Sequence, residues 1–369
     1  MYAKENNTSK RSKLPMKKLL SILLLCLFAS GALAGGDCYY YPYSVANSKT
    51  SAANYAQFNQ AGELSILIPG VDQDFVPQGI AYYADQNLMI FSGYSSSKPQ
   101  ASSALIAVNM QTNEIVKEIF LQDVNGQYLK GHFGGVCVTD KNVFISSDNC
   151  LYRLPLSAFN AAPVSSSLQI AEAIPVPCNA SFCQIDSNGI LWVGEFEHGS
   201  AYPTDKSHYT NTIDGKNKAW LLGYQLNAST DNELTPGSIT AAGAIPDYIV
   251  SINDRIQGVT FCDGQIYLSQ SFGRDKTSTI YRHDNVLADA PDKQVNVLGA
   301  QRPLWILDSD SQNAALSCPP MTEGLCTIGG SVYVSFESAA STYREPSDPK
   351  DGTSVDPIDR LFKLNPTAF

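Results

Sequence analysis

The side chains of this chain best suited to chemistry are carboxylates, amides, arginines and tyrosines that recur beside short apolar segments. Gln78, His132, Asn179, Gln257 and Glu323 stand ahead of such segments, while Tyr94, Asp148, Glu195, Glu197, Arg274, Glu337, Tyr343 and Arg344 follow them. A mixed cluster of carboxylate, guanidinium and phenol in a concave, partly dry site is what general acid and base work requires, because burial raises a glutamate toward neutrality. The same set suits a pocket for a sugar or a peptide. Glu323 and Glu195 are the candidate catalytic carboxylates. Gln78, His132, Asn179, Gln257, Arg274, Glu337, Tyr94 and Arg344 are the candidate ligand contacts. Each has a structural alternative: Gln78, Gln257 and Glu323 as caps of strand backbone, His132 as a hydrogen-bonded spacer, Arg274 and Arg344 as partners of nearby carboxylates.

The elements that must position these groups repeat. Five segments share a polar residue, a small residue, an apolar stretch, a turn and a β-branched or aromatic strand. They are PQGIAYYADQNLMIFSGYS from Pro77, FGGVCVTDKNVFISSDN from Phe133, ASFCQIDSNGILWVGEFE from Ala180, IQGVTFCDGQIYLSQSFGR from Ile256 and TEGLCTIGGSVYVSFESA from Thr322. A third strand follows each: SALIAVNM, CLYRLPLS, AWLLGYQLN, STIYRHD and DRLFKLN. Gly79, Gly135, Ser181, Gly258 and Gly324 mark the register, at intervals of blade size with the excess placed in loops, chiefly Glu197 to Lys218. A small residue at one recurring place lets backbones approach closely around an axis. The chain is therefore read as all-β, a β-propeller of five blades with six as the alternative. ELSILI, from Glu63, is the expected closing strand, since the last repeat lacks an outer strand of its own. Loops entering the innermost strands and loops leaving the second strands open on one face, so the residues named above converge on an axial funnel.

Upstream of that domain, Lys17 and Lys18, the apolar run Leu19 to Ala29 and Ala32-Leu33-Ala34 describe a secretory signal peptide cut after Ala34. The run is far short of the roughly twenty residues of a membrane span. The domain plan is a leader over residues 1–34, a lead segment over 35–62 and a single propeller over 63–369, exported to the periplasm or medium. Losing Lys4, Lys10, Arg11, Lys13, Lys17, Lys18 and the one acid Glu5 takes the net charge from −10 to −15. Without clustered Lys and Arg, nucleic acid is excluded as a partner. Eight cysteines remain, an even count that favours disulfides in an exported chain, with Cys178–Cys183 and Cys318–Cys326 the preferred pairs. No C-x-x-C pair supports zinc, and DPKDGTSVDPID, from Asp348, lacks the ordered alternation of an EF-hand loop. Asn179-Ala180-Ser181 and Asn227-Ala228-Ser229 fit glycosylation sequons but are discounted, because the leader has a bacterial character and Asn179 belongs to the funnel. Nucleophile-elbow, P-loop and H-E-x-x-H motifs are absent.

The stretch PQGIAYYADQNLMIFSGY, continued by SSALIAVNMQTNEIVKEI, resembles the opening blade of plant-type glutaminyl cyclotransferases, and SQSFGRDKTSTIYRHD repeats the theme. The resemblance implies a secreted five-bladed propeller that converts amino-terminal glutamine to pyroglutamate, a funnel carboxylate carrying a proton from the attacking amine to the departing ammonia. Glu323 or Glu195 would take that role. The chain departs from the pattern in having Gln78 where an acid is expected, and Trp192, Trp220 and Trp305 form no evident substrate box. A more distant likeness, through Glu323-Gly324, is to gluconolactonase and strictosidine-synthase-like propellers, which hold a central divalent cation. The cofactor expectation is accordingly none, with Ca²⁺ as the alternative. The partner expected is a small molecule, peptide or glycan, bound with or without turnover.

Overall fold

The structure, a computed structural model, describes residues 38–45 and 54–369. The signal peptide expected over residues 1–34, with its cut after Ala34, lies outside these. Period-two patterning and left-handed turn residues produce the local units. Asp263-Gly264 and Gly329-Gly330 both hold positive φ, which matches a two-residue turn to the twist of the strands it joins. Five four-stranded antiparallel blades result. Their innermost strands are Phe75–Tyr83, Gly135–Val138, Phe182–Ile185, Ile256–Cys262 and Thr322–Ile328. Each touches the next around a ring, and the fifth touches the first. The third strands, Ala104–Asn109, Cys150–Pro155, Ala219–Gln225, Ser278–Asp284 and Arg360–Leu364, fall on the five predicted segments.

The closing strand is the expected one. Gly62–Leu67 pairs antiparallel with Arg360–Leu364, Leu64 opposite Phe362, and gives the fifth blade its outer edge. The lead segment is packed onto the same seam. Phe58 stacks on Phe362 at 4.0 Å between ring centroids, and Tyr40 is buried against Phe75. Two fully buried carboxylates hold its backbone: Glu118 accepts from the amides of Tyr39 and Tyr40 at 3.1 and 2.8 Å, and Asp359 from that of Val45 at 2.9 Å. Buried carboxylates are tolerated only with such partners.

Two excursions of the chain lend strand to a neighbouring blade where loop was expected. Between the third and fourth strands of blade two, Ser165–Gln169 adds in parallel to Ile115–Gln122 at the edge of blade one. Between the third and fourth strands of blade four, the hairpin Lys293–Val297 and Ala300–Ile306 adds in parallel to Tyr248–Ile252 of blade three. Much of the length excess in the fourth interval is thus sheet. The core lies in the wedges between blades. One apolar cluster fills the gap between blades one and two, one between two and three, one between three and four, and the largest joins blades four, five and one beneath the lead segment.

The recurring small residue does bring backbones together. A Cβ on Gly324 would sit 2.9 Å from both the Gln78 oxygen and the Gly79 Cα, and one on Gly135 would strike the amide nitrogen of Cys183. Blade three breaks the register: Phe182, one residue after Ser181, occupies this place, and its ring lies against Gly194, which has no side chain to displace it. Gly135→Ala should cost about 3 kcal/mol, since the atoms it strikes first are backbone of Phe182 and Cys183, which no rotamer change can move aside. Urea unfolding with an unchanged slope but lower midpoint is the expected result.

The preferred disulfides do not form. Cys178, Cys183, Cys318 and Cys326 are free thiols, as are Cys137, Cys150 and Cys262. Cys183 lies instead beside Cys137 on the neighbouring inner strand, its sulfur 3.9 Å from the Phe144 oxygen. Among the described residues no helix is long and apolar enough to cross a membrane.

Candidate functional site

Three inner strands, in blades one, four and five, carry a β-bulge at the same point. The pairing register shifts between Pro77 and Ile80, between Ile256 and Gly258, and between Thr322 and Leu325. A bulge inserts one residue and re-aims its side chain. The residues re-aimed are Gln78, Gln257 and Glu323, each followed by the glycine that lets the next blade close in. Their side chains converge around Glu337, which follows the second strand of blade five, Ser331–Phe336, and is fixed by its amide to Met321 at 3.1 Å.

Glu337 accepts from the Gln78 Nε2 at 2.9 Å, from the Tyr343 hydroxyl and from Glu323. Tyr343 in turn meets the Tyr94 hydroxyl at 2.9 Å, and Gln257 Nε2 donates to Glu323 Oε1 at 3.3 Å. Burial pushes the Glu337 carboxyl up to about 7, against the opposing pull of Tyr343, Gln78 and Glu323. Glu323 is 2 % exposed, and its carboxyl is held well above the ordinary range, by burial first and by the Glu337 charge second. Two carboxyls this close cannot both ionise in a dry site. The pair therefore shares one proton, carried by Glu323 and donated to Glu337. Glu337 opens on the funnel, and Glu323 lies behind it.

The funnel around this pair is a cavity of about 880 Å³. Tyr94, His132, Asn179, Gln257 and Arg274 line it along with Gln78 and Glu337. His132 packs edge-on against Tyr94 at 4.7 Å, and its burial lowers its proton affinity although Asp148 opposes this. Arg274 lies over the Tyr343 ring at 4.8 Å and donates to the Gly352 oxygen at 2.6 Å. Asn179 spends its amide on the loop itself, accepting from Ser181 and Phe196 and donating to the Phe196 oxygen at 2.8 Å. In blades two and three the wall carries Gly134 and Ser181, so the carboxyl pair faces open space across the axis.

Three of the predicted residues are drawn elsewhere. Glu195 is buried away from the cavity, where it accepts from the Trp220 amide at 2.8 Å and meets His208 Nδ1 at 2.9 Å. The His208 ring stacks on Trp220 at 3.8 Å, so the carboxylate anchors the long loop of blade three. Glu197 is buried in the same loop, accepting from the Gly199 amide with Lys218 3.8 Å away. Arg344 donates to Asp72 at 2.7 Å and to the Ala339 oxygen. Phe196, Tyr202 and Phe272, absent from the sequence-derived site, line the funnel mouth; Phe196 and Phe272 follow the second strands of blades three and four, the class of position already singled out. Among the described residues no three His, Cys, Asp or Glu side chains are grouped as a metal set.

The fold is a five-bladed β-propeller. No family model matches the sequence, and no curated protein matches it. Solved structures of similar fold include hydrazine synthase of Kuenenia stuttgartiensis, at 10% identity and a TM-score of 0.36 over 72% of this chain. The chain spans 57% of the length of that protein. The glutaminyl cyclase of Myxococcus xanthus is similar over 79% of this chain and 90% of its own, at 10% identity and a TM-score of 0.39. A gluconolactonase of Xanthomonas campestris is similar over 76% and 77%, at 13% identity and a TM-score of 0.35. These are likenesses of fold.

Proposed function

We propose that the chain is an exported enzyme whose funnel closes an amino-terminal glutamine into a lactam, with Glu337 as the proton carrier. The observation that supports this reading is the carboxyl pair: a carboxylate with a proton affinity near neutrality, open to the cavity, backed by a protonated partner. In the proposed step the neutral α-amine attacks the γ-carboxamide carbon of the same residue. One carbon–nitrogen bond forms. Glu337 removes a proton from the attacking nitrogen and returns it to the nitrogen of the carboxamide, whose bond to carbon then breaks with release of ammonia. Glu323 keeps its proton throughout, so the pair alternates between one and two protons. Gln78 and Tyr343 hold Glu337 in place, and Tyr94 holds Tyr343. General acid–base assistance of this kind contributes on the order of 10²–10⁴-fold.

The test is to incubate the protein with a peptide beginning in glutamine and follow ammonia together with the mass of the product. Conversion to the lactam is the expected outcome; an unchanged peptide with a folded protein overturns the reading.

Because Glu337 works as a base only when ionised, and the attacking amine must be neutral, kcat/KM should rise with pH through about 7 and level only above the ordinary α-amine range of about 8. The Tyr343 hydrogen bond lowers this value, so Tyr343→Phe should move the rising limb upward by about one unit. An unshifted limb would show that Tyr343 does not act on the carboxylate.

A further inference from the structure

Much of the funnel is left over once the carboxyl pair is assigned. A cavity of about 880 Å³ matches the upper part of the range for whole ligands, of roughly 300–1,000 Å³, and exceeds what one glutaminyl side chain fills. Its two walls differ in chemistry.

The wall from blades three and four is aromatic. Phe196 and Tyr202 meet edge to face at 5.4 Å, and Phe272 stacks on His198 at 3.7 Å. Tyr202 and Phe272 are nevertheless 50 % and 40 % exposed, in a chain whose other large rings are mostly inside. Rings that are held by stacking yet left open toward a cavity are ready to cover an apolar group without paying much ordering entropy. This wall shares one cavity with the acid–base carboxylate: Tyr202 and Phe272 line the same funnel as Tyr94, Tyr343 and Glu337.

The remaining lining is acidic. Asp148, Asp275, Glu337 and Asp351 face Arg274 and Lys350, and Arg274 is already engaged by the Gly352 oxygen and the Tyr343 ring. An excess of carboxylate in a concave site raises the local concentration of cations. A free α-amine carries the matching charge, and a peptide rich in Asp or Glu carries the opposing one.

We propose that Tyr202 and Phe272 form a subsite for the second residue of a peptide with a free amino terminus, selecting an aromatic or large apolar side chain there. The assignment rests on the funnel reading above for turnover and stands on its own for binding. The experiment separates the two. Ala-Phe-Ala and Ala-Gly-Ala, which cannot cyclise, are titrated calorimetrically into the wild type and the doubly substituted Tyr202→Ser, Phe272→Ser protein. Turnover of Gln-Phe-Ala and Gln-Gly-Ala is measured alongside. The phenylalanyl peptide should bind at least tenfold more tightly than the glycyl one, acetylation of its amine should cost a further tenfold, and the double variant should erase the preference. Both substituted side chains are exposed, and an unchanged Tm confirms the fold. Equal affinities, no binding of either peptide, or a preference that survives the double variant overturns the subsite. Discrimination in binding without turnover of either glutaminyl peptide leaves the subsite and sinks the cyclisation. Turnover without discrimination does the reverse.

Discussion

Glu337→Gln should abolish turnover, by 10³-fold or more in kcat, with no loss of fold. Glutamine keeps the shape and still accepts from Gln78 and Tyr343, but it cannot take up and return a proton. The change also carries a thermodynamic signature. An unfolded glutamate titrates near 4.5, and the folded one near 7. Between these values the native protein binds a proton that the unfolded chain has released, so the contribution of Glu337 to stability is fully present below pH 4.5 and is lost as pH rises through about 7. The full shift corresponds to about 3 kcal/mol, reduced to about 1–2 kcal/mol because the carboxyl opens on funnel water. Glu337→Gln should therefore gain stability over the wild type at pH 8 and differ little at pH 4.5. Denaturant unfolding at both pH values checks this. A variant that stays active, or one destabilised equally at both pH values, is incompatible with the shared proton.

Removal of residues up to Leu67 should have the largest effect on the fold. It strips the partner from Arg360–Leu364, the stacked ring from Phe362 and the ligands from Asp359 and Glu118. A sheet edge and two buried carboxylates are exposed together, each a change of several kcal/mol. The expected product is aggregated or lacks a cooperative transition, whereas removal of residues up to Lys49 should leave a soluble protein with a lower Tm. A truncation at Leu67 that melts like the full chain would show that blade five holds without its borrowed edge.

How far the sequence reached depends on the range of the physics involved. Gln78-Gly79, Gln257-Gly258 and Glu323-Gly324 were legible because one local event, a bulge beside a point of close approach, demands the same residue pair each time. Blade number and the closing strand followed from that register. Blade three was misread by one residue because Phe182 fills the place of a glycine by turning its ring onto Gly194, a compensation made on another strand. Glu195 sits where Glu337 does in its own repeat, and nothing adjacent in sequence says that His208 and the Trp220 amide will claim it. Arg344 was claimed likewise by Asp72 from the far end of the chain. The parallel additions of Ser165–Gln169 and of the hairpin to Ile306 are choices between distant edges, on which period-two patterning is silent.

Those borrowed strands bear on how the molecule comes apart. In repeat arrays each unit contacts only its neighbours, and terminal units can fray alone. Here blade one is edged by chain belonging to blade two, blade three by chain belonging to blade four, and blade five by the closing strand Gly62–Leu67. Opening any odd-numbered blade requires its lender to let go as well. Amide exchange should consequently report coupled units, with the strands of blades one and two, and of three and four, losing protection in pairs. The same lending means that a blade cannot be excised or duplicated without orphaning an edge elsewhere, so the ring is fixed at its present number of blades.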